Sequence, residues 1–259
     1  MIALSAELAA RVHGLFEFAA IGLGAALYRR ARRPSGLPAM GARGTFALMV
    51  GLLVGAGLGN KLVFLIERPD LWLDFWRGGQ ALRLGQSLVG GLLGGLIGTE
   101  IAKAWTRQPA STGDLMVQPL AWGIALGRVG CFVAGLHDDT YGLPSALPWA
   151  LDLGDGLPRH PTALYEIGFV AALAALLARW RERLAAVPGL GFKCFLAAYL
   201  VWRLLIDGLK PVRVAYAGGL SGIQWVCLLA LLAYLPFVVR AFSRLSSARA
   251  AARCTEDSP

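Results

Sequence analysis

The sequence predicts an all-α integral membrane protein with about seven transmembrane helices, and three observations carry that prediction. Of its 259 residues 56% are hydrophobic and only 16% charged, and the mean hydropathy is +0.58. An average soluble domain is about a quarter charged, so composition alone argues against disorder and against an ordinary globular enzyme. Second, seven runs near twenty apolar residues meet the length needed to cross a bilayer, at about residues 12–28, 45–65, 84–105, 115–133, 164–180, 192–209 and 223–242. Third, the connections alternate in charge. Arg29, Arg30, Arg32, Arg33 and Arg43 follow the first run, Lys103 and Arg107 the third, Arg179, Arg181, Arg183 and Lys193 the fifth, and Arg240, Arg244, Arg249 and Arg253 the seventh. The other connections hold the acids Glu67, Asp70 and Asp74, then Asp138, Asp139, Asp152 and Asp155. Lys and Arg are retained on the cytoplasmic side, which places the N-terminus outside and the C-terminus in the cytoplasm and requires an odd number of spans. The expected organisation is one polytopic membrane domain over residues 1–259, with a small irregular outer-face segment at 134–163 and a cytoplasmic tail at 243–259.

The formal charge of +9 does not point to nucleic acid, because the basic residues lie between apolar runs and not along one solvated face. The four cysteines, at 131, 194, 227 and 254, show no C-x-x-C spacing. Neither a structural metal site nor a disulfide framework is expected, and no cofactor.

The first run lacks a basic segment ahead of it and a convincing cleavage site after it, so it reads as a retained span. It carries His13 and Glu17 on one helical face near its outer end. In the second run Gly51, Gly55 and Gly59 recur at four-residue spacing, as do Gly90, Gly94 and Gly98 in the third, with Gly91 and Gly95 beside them, and Gly123 and Gly127 in the fourth. Such rows let helix backbones approach closely in lipid and predict a compact bundle. Lys61 can snorkel to the outer interface. No inverted repeat of spans is visible, which weighs against a transporter, whose polar residues would meet at the midplane between repeats.

Arg128 lies inside the fourth run, AWGIALGRVGCFVAG, where an arginine costs about 2.5–3.5 kcal/mol or more unless it meets a partner, a lipid phosphate or a water-filled cavity. The connection after it, HDDTYGLPSALPWALDLGDGLPRHPT, is long for a compact bundle, and long polar connections of this kind tend to be functional. Its SALPWALDL stretch predicts a strand or an interfacial segment, and His137 with Asp138 and Asp139 reads as solvated charge. Arg159 and His160 precede Pro161, a residue suited to a helix start, and Tyr165 and Glu166 follow in the first turns of the fifth span. In the sixth span Arg203 and Asp207 share one face, with Lys210 a turn further on, either as a functional group or as an internal ion pair joining two helices. Together Arg128, Arg159, Arg203 and Lys210 are expected to converge on the outer half of the bundle. Guanidinium groups bind phosphate oxygens bidentately and an ammonium supplies point charge, so the expected substrate is an acidic phospholipid. The same cations would stabilise charge developing on a departing phosphate. This reading requires the Arg128 guanidinium to reach a gap and not be closed off by carboxylates.

Several stretches carry a family resemblance: GRVGCFVAG (residues 127–135), TYG (140–142), RHPTALYE (159–166), VGGLLGG from Val89, GLGNKLVFLIERP (57–69), and RLLIDGLKP followed by SGIQ. These stretches, which extend from the second span to the seventh, resemble those of the prolipoprotein diacylglyceryl transferases. The resemblance implies a multi-pass enzyme of the bacterial cytoplasmic (inner) membrane, active in lipoprotein biosynthesis. Such an enzyme moves the diacylglyceryl group of phosphatidylglycerol onto the thiol of a prolipoprotein's lipobox cysteine and releases glycerol phosphate. The partners it implies are phosphatidylglycerol, the lipobox segment and membrane lipid, with no nucleic acid. Carried over by position, it implies substrate binding by Arg128, Cys131, Gly142, Gly90, Gly91 and Arg159, and catalytic roles for His160, Arg203, Asp207, Lys210, Tyr165 and Glu166. The chain departs from the family at Val89, where a histidine usually precedes the glycine run, and Lys210 stands where an arginine is usual. A thiol with a pKa near 8.5 is a few per cent thiolate at neutral pH, so the lost base slows the reaction without forbidding it. His160 or the His13 and Glu17 pair is the expected substitute. The alternatives are a divergent lipid transferase with another acceptor and a non-catalytic phospholipid-binding membrane protein.

Overall fold

A computed structural model of the chain describes residues 4–33, 41–79, 85–108, 110–138 and 140–256, with side chains to residue 247. Leu84, Asp139 and the side chains of Arg249, Arg253 and Cys254 lie outside the described residues. The helices are α1 (Ala6–Arg32), α2 (Ala42–Glu67), α3 (Pro69–Trp76), α4 (Leu88–Thr106), α5 (Val117–Ala134), α6 (Thr162–Arg179), α7 (Arg181–Ala185), α8 (Leu190–Ile206) and α9 (Gly222–Glu256).

Among the described residues five helical stretches are long and apolar enough to cross a membrane: α1, α2, α5 with its flanking 3-10 turns, α6, and α9 through Ser247. The two remaining expected spans coincide with α4 and α8. Helix α4 spends its positions on glycine and carries Glu100 and Lys103, and α8 is 17 residues long and carries Arg203. Helix α8 is one residue shorter than α6, the shortest of the five.

The exterior is apolar, as a lipid-facing surface must be: Trp105 is 85% exposed, Phe18 77% and Phe46 70%. The interior is organised around α8, whose Phe195, Leu196, Tyr199 and Leu200 are completely buried. Helices α2 and α4 run antiparallel in backbone contact, with Gly51, Gly55 and Gly59 facing Gly98, Gly94 and Gly90 in that order. A methyl group on Gly55 would collide with the Gly94 carbonyl, so the glycine rows create this contact as their spacing predicts. On the other side Gly130 of α5 admits Phe16 of α1. Gln118 Nε2 donates to the Ala174 carbonyl at 2.9 Å across the α5–α6 seam. Phe169 of α6 stacks on Trp202 of α8 with ring centroids 4.4 Å apart.

Side-chain oxygens hold the starts of α8 and α4. The Asp114 carboxylate accepts from the amides of Gly189 (2.6 Å) and Phe192 (3.0 Å), placing negative charge at the start of α8. Ser87 caps α4 through the Gly90 amide at 3.4 Å.

Between α5 and α6 lies a short head. It contains the 3-10 turn Gly135–His137 and two strands, β1 (Leu151–Asp152) and β2 (Pro158–Arg159), paired antiparallel with Leu151 opposite Arg159. Of the SALPWALDL stretch only Leu151 and Asp152 form strand. The loop between the strands turns back because the Asp152 carboxylate accepts from the amides of Gly154 and Gly156, both at positive φ.

Candidate functional site

Positions 199, 203 and 207 recur every four residues and so project along one side of α8 and its continuation into the 3-10 turn Asp207–Leu209. They meet α6 at Glu166, which is 1% exposed. Glu166 accepts from the Tyr199 hydroxyl at 2.5 Å and from Arg203 Nη1 at 3.2 Å. Its Oε2 also lies 2.9 Å from Arg128 Nε of α5. Arg203 Nη2 donates onward to Asp207 Oδ1 at 3.1 Å, and Asp207 Oδ2 accepts from Ser221 Oγ, at the start of α9, at 2.6 Å. The result is a buried ladder of alternating charge, Arg128–Glu166–Arg203–Asp207–Ser221, tying four helices together. Lys210 is buried at its end; its amide donates to the Asp207 carbonyl at 3.1 Å, and its side chain makes no hydrogen bond or ion pair among the described residues.

This arrangement corrects the expectation of a purely cationic pocket. Arg128 and Arg203 do converge, but around a shared carboxylate, because two buried guanidinium groups without a counterion would cost several kcal/mol. Arg159 is engaged in the head: its Nε and Nη2 contact Asp155 Oδ2 at 2.9 and 2.5 Å, Nη1 donates to the Gly142 carbonyl at 3.2 Å, and the guanidinium lies over the Tyr141 ring. That pairing holds the Asp155 carboxyl below the usual carboxylate range and raises Arg159 further.

The Glu166 pair occupies only one edge of Arg128. Its Nη1 is turned the other way, 3.4 Å from Thr140 Oγ1 and 3.4 Å from Cys131 Sγ. Thr140 and Cys131 line a small, open-mouthed cavity that is also bounded by Tyr141, Leu153, His160 and Thr162. Arg128 itself is buried, 7% exposed: one edge is held by a carboxylate, and the other contacts Thr140 and Cys131, two residues of the cavity wall.

The wall itself is built by clamping TYG onto RHPT. Thr162 Oγ1 donates to the Thr140 carbonyl at 2.8 Å, the His160 amide donates to the Leu143 carbonyl at 3.0 Å, and the Leu143 amide donates to the Leu209 carbonyl at 2.8 Å. Gly142 is needed here, since a Cβ would strike the His160 backbone. The His160 ring lies 3.4 Å (Nδ1) from the Tyr165 hydroxyl, which accepts from Trp149 Nε1 at 2.7 Å.

Other expected site residues are placed differently. Gly90 is packed against the Gly59 backbone, whereas Gly91 has only loose neighbours. Val89 is 1% exposed within the hydrophobic core. Sequence reasoning missed Tyr199, Ser221 and Thr140. The first had a signal, its four-residue offset from Arg203; the other two become visible only once α9 and the head fold back. It also missed the meeting of His13, Cys131 and Asp138, whose ligand-type atoms all lie within 4.8 Å of one another.

Comparison with known proteins bears on this geometry. The family model described as prolipoprotein diacylglyceryl transferase matches residues 1–240. A phosphatidylglycerol–prolipoprotein diacylglyceryl transferase of Methylococcus capsulatus is 30% identical over 239 residues, covering 85% of this chain and 84% of the relative. Proteins of the same name from Bordetella parapertussis (30% over 192 residues, 70% of each chain) and Trichormus variabilis (30% over 204 residues, 68% of this chain and 70% of the relative) are similar to it as well.

Proposed function

The chain belongs to the prolipoprotein diacylglyceryl transferase family, and on that premise we propose that it transfers the diacylglyceryl group of phosphatidylglycerol to the lipobox cysteine thiol of a prolipoprotein. The observation that carries the reading at residue level is the split engagement of Arg128. Glu166 fixes its position from one side, and Nη1 on the other contacts Thr140 and Cys131, where a phosphodiester in the cavity would take their place. Glu166 and Asp207 hold Arg128 and Arg203 in place, so the cations need no reorganisation as charge moves onto the leaving glycerol phosphate. Lys210 supplies further positive charge to the same region. The acceptor enters the cavity against His160 and Cys131, with Tyr165 beside the His160 ring and Arg159 bracing the head through the Gly142 carbonyl.

The membrane arrangement that suits this chemistry has seven spans, the N-terminus outside, and the head on the outer face of the bacterial inner membrane. Supporting it, α4 has 19 residues and α8 has 17, lengths of about 28 and 26 Å at 1.5 Å per residue. Both approach the hydrocarbon thickness of about 30 Å. The charge alternation of the connections favours the same orientation.

The test is transfer to a lipobox peptide by the full chain in phosphatidylglycerol vesicles. Arg128→Ala is expected to lower the rate by about 100-fold or more, the scale of losing a charge-stabilising donor. Arg128→Lys, which keeps a charge opposite Glu166, separates that loss from misfolding. Native rates in Arg128→Ala would overturn the assignment, and lipid binding without transfer at any enzyme level would favour the non-catalytic alternative.

A further inference from the structure

The ladder and the cavity leave one cluster unused. His13 of α1, Cys131 of α5 and Asp138 just beyond α5 each bring a ligand-type atom to within 4.8 Å of the others. An imidazole nitrogen, a thiolate and a carboxylate oxygen are the donors that zinc takes, and its bonds of about 2.0–2.3 Å set ligand atoms roughly 3.3–3.8 Å apart in a tetrahedron. Side-chain adjustments of about 1 Å would close the cluster to that size.

Two details point to a cation there. His13 Nδ1 faces Asp138 Oδ2 at 3.6 Å, and that oxygen is buried on a side chain only 10% exposed and accepts no hydrogen bond. Either a proton on Nδ1 or a bound cation must lie between this nitrogen and the carboxylate oxygen it faces, and a cation would draw in Cys131 as well. The other ring nitrogen, Nε2, lies 3.3 Å from Glu17 Oε1, the outer carboxylate that fixes the tautomer of a metal-binding histidine. The neighbouring positive charge is Arg128, whose Nη1 is 3.4 Å from Cys131 Sγ, and Glu166 already balances it. Asp138, Glu17 and a Cys131 thiolate therefore suit a dication.

We propose that His13, Cys131 and Asp138 bind a divalent cation of the zinc type, with a fourth position open to the acceptor thiol. The role of the metal rests on the transferase reading above. Three protein ligands with one position free is the arrangement of catalytic zinc, and a coordinating thiol is bound as its thiolate. The acceptor thiol loses its proton to water as its sulfur bonds the metal. A sulfur lone pair then forms the S–C bond to the glyceryl carbon. The C–O bond to phosphate breaks, its electron pair stays on the phosphate oxygen, and glycerol phosphate leaves beside Arg128. The neutral thioether is a weak ligand and is released. The metal thus supplies the thiolate that Val89, an apolar core residue, has no means to generate.

The test uses the purified full chain stripped with chelator and titrated with Co²⁺ or Zn²⁺ alone. One Co²⁺ per chain is expected, with a sulfur-to-cobalt absorption band that disappears in Cys131→Ser and persists in Cys194→Ser and Cys227→Ser. His13→Gln and Asp138→Asn are expected to weaken binding at least tenfold, since even outer-shell changes cost about 10–100-fold. Stripping is expected to slow transfer at least tenfold, with Zn²⁺ restoring it. Absence of the band in the native chain, or its persistence in Cys131→Ser, overturns the site. Metal bound with transfer indifferent to its removal overturns its part in the reaction. A native, metal-loaded chain that transfers nothing refutes the transferase reading instead, and the cobalt titration still decides the site.

Discussion

Replacing Glu166 by glutamine changes almost no volume and removes one charge, which makes it the most direct probe of the buried ladder. Glu166 is 1% exposed and meets Arg128 Nε at 2.9 Å, Arg203 Nη1 at 3.2 Å and the Tyr199 hydroxyl at 2.5 Å. Arg203 keeps Asp207, but Arg128 makes no other ion pair among the described residues, so the substitution strands a buried guanidinium. Breaking a buried pair by removing one partner costs about 3–5 kcal/mol. At roughly 2–4 °C per kcal/mol for a chain of this size, the thermal midpoint in detergent should fall by about 6–20 °C. Tyr199→Phe removes a single hydrogen bond to the same carboxylate and should cost less, about 1.5–3 kcal/mol. The amide introduced by Glu166→Gln would also turn donors toward Arg128 and loosen its hold on the cavity edge, so transfer should fall together with stability. An E166Q chain as stable as the native one, and as active, would mean that the ladder does not position Arg128.

The glycine seam makes a sharper steric prediction. Gly55→Ala drives a methyl group into the Gly94 carbonyl and should destabilise by about 1–3 kcal/mol, while Gly57→Ala, which meets open space, should be neutral or gain up to about 1 kcal/mol of helix propensity. Equal midpoints for the two variants would refute the backbone contact. In the head, Arg159 depresses the Asp155 carboxyl. The stabilisation from this pair is therefore complete above the unfolded carboxyl value of about 3.9 and is lost as pH falls through the lower folded value. The difference in thermal midpoint between the native chain and Asp155→Asn should be present at pH 6 and shrink below pH 4. A difference that grows on acidification would contradict the pairing.

Much of this was legible in the residues, and the illegible part has a physical cause. Glycines at four-residue spacing announce backbone contact because only a missing side chain permits it. An arginine in an apolar run announces a buried site because the run offers it no water. Which partner it meets is not local information: Glu166 and Arg128 lie on different helices, and nothing along the chain says that a residue a few positions beyond His160 turns inward to share two guanidiniums. The meeting of Arg128 with Arg203 and the Arg203–Asp207 pair were therefore readable; the diversion of Arg159 to the head and the carboxylate that both guanidiniums share were not. The cluster of His13, Cys131 and Asp138 escaped because metal spacing rules describe ligands close in sequence, whereas α1 reaches α5 only after the bundle assembles.

The ladder itself argues that it is kept for chemistry more than for stability. A well-packed apolar replacement of a buried ion pair is often neutral or stabilising by about 1–4 kcal/mol, and a lipid-embedded bundle has apolar side chains in abundance. Helix contact is already secured by the glycine seam and by the core around Phe195 and Tyr199. What an apolar core cannot do is hold the charged Arg128 guanidinium against the residues of a cavity wall. Two carboxylates serve that arrangement: Glu166, shared by Arg128 and Arg203, and Asp207, which balances the second guanidinium. Each member of the ladder then has a task set by its neighbour, and the chain of tasks ends at the one guanidinium edge that faces the cavity.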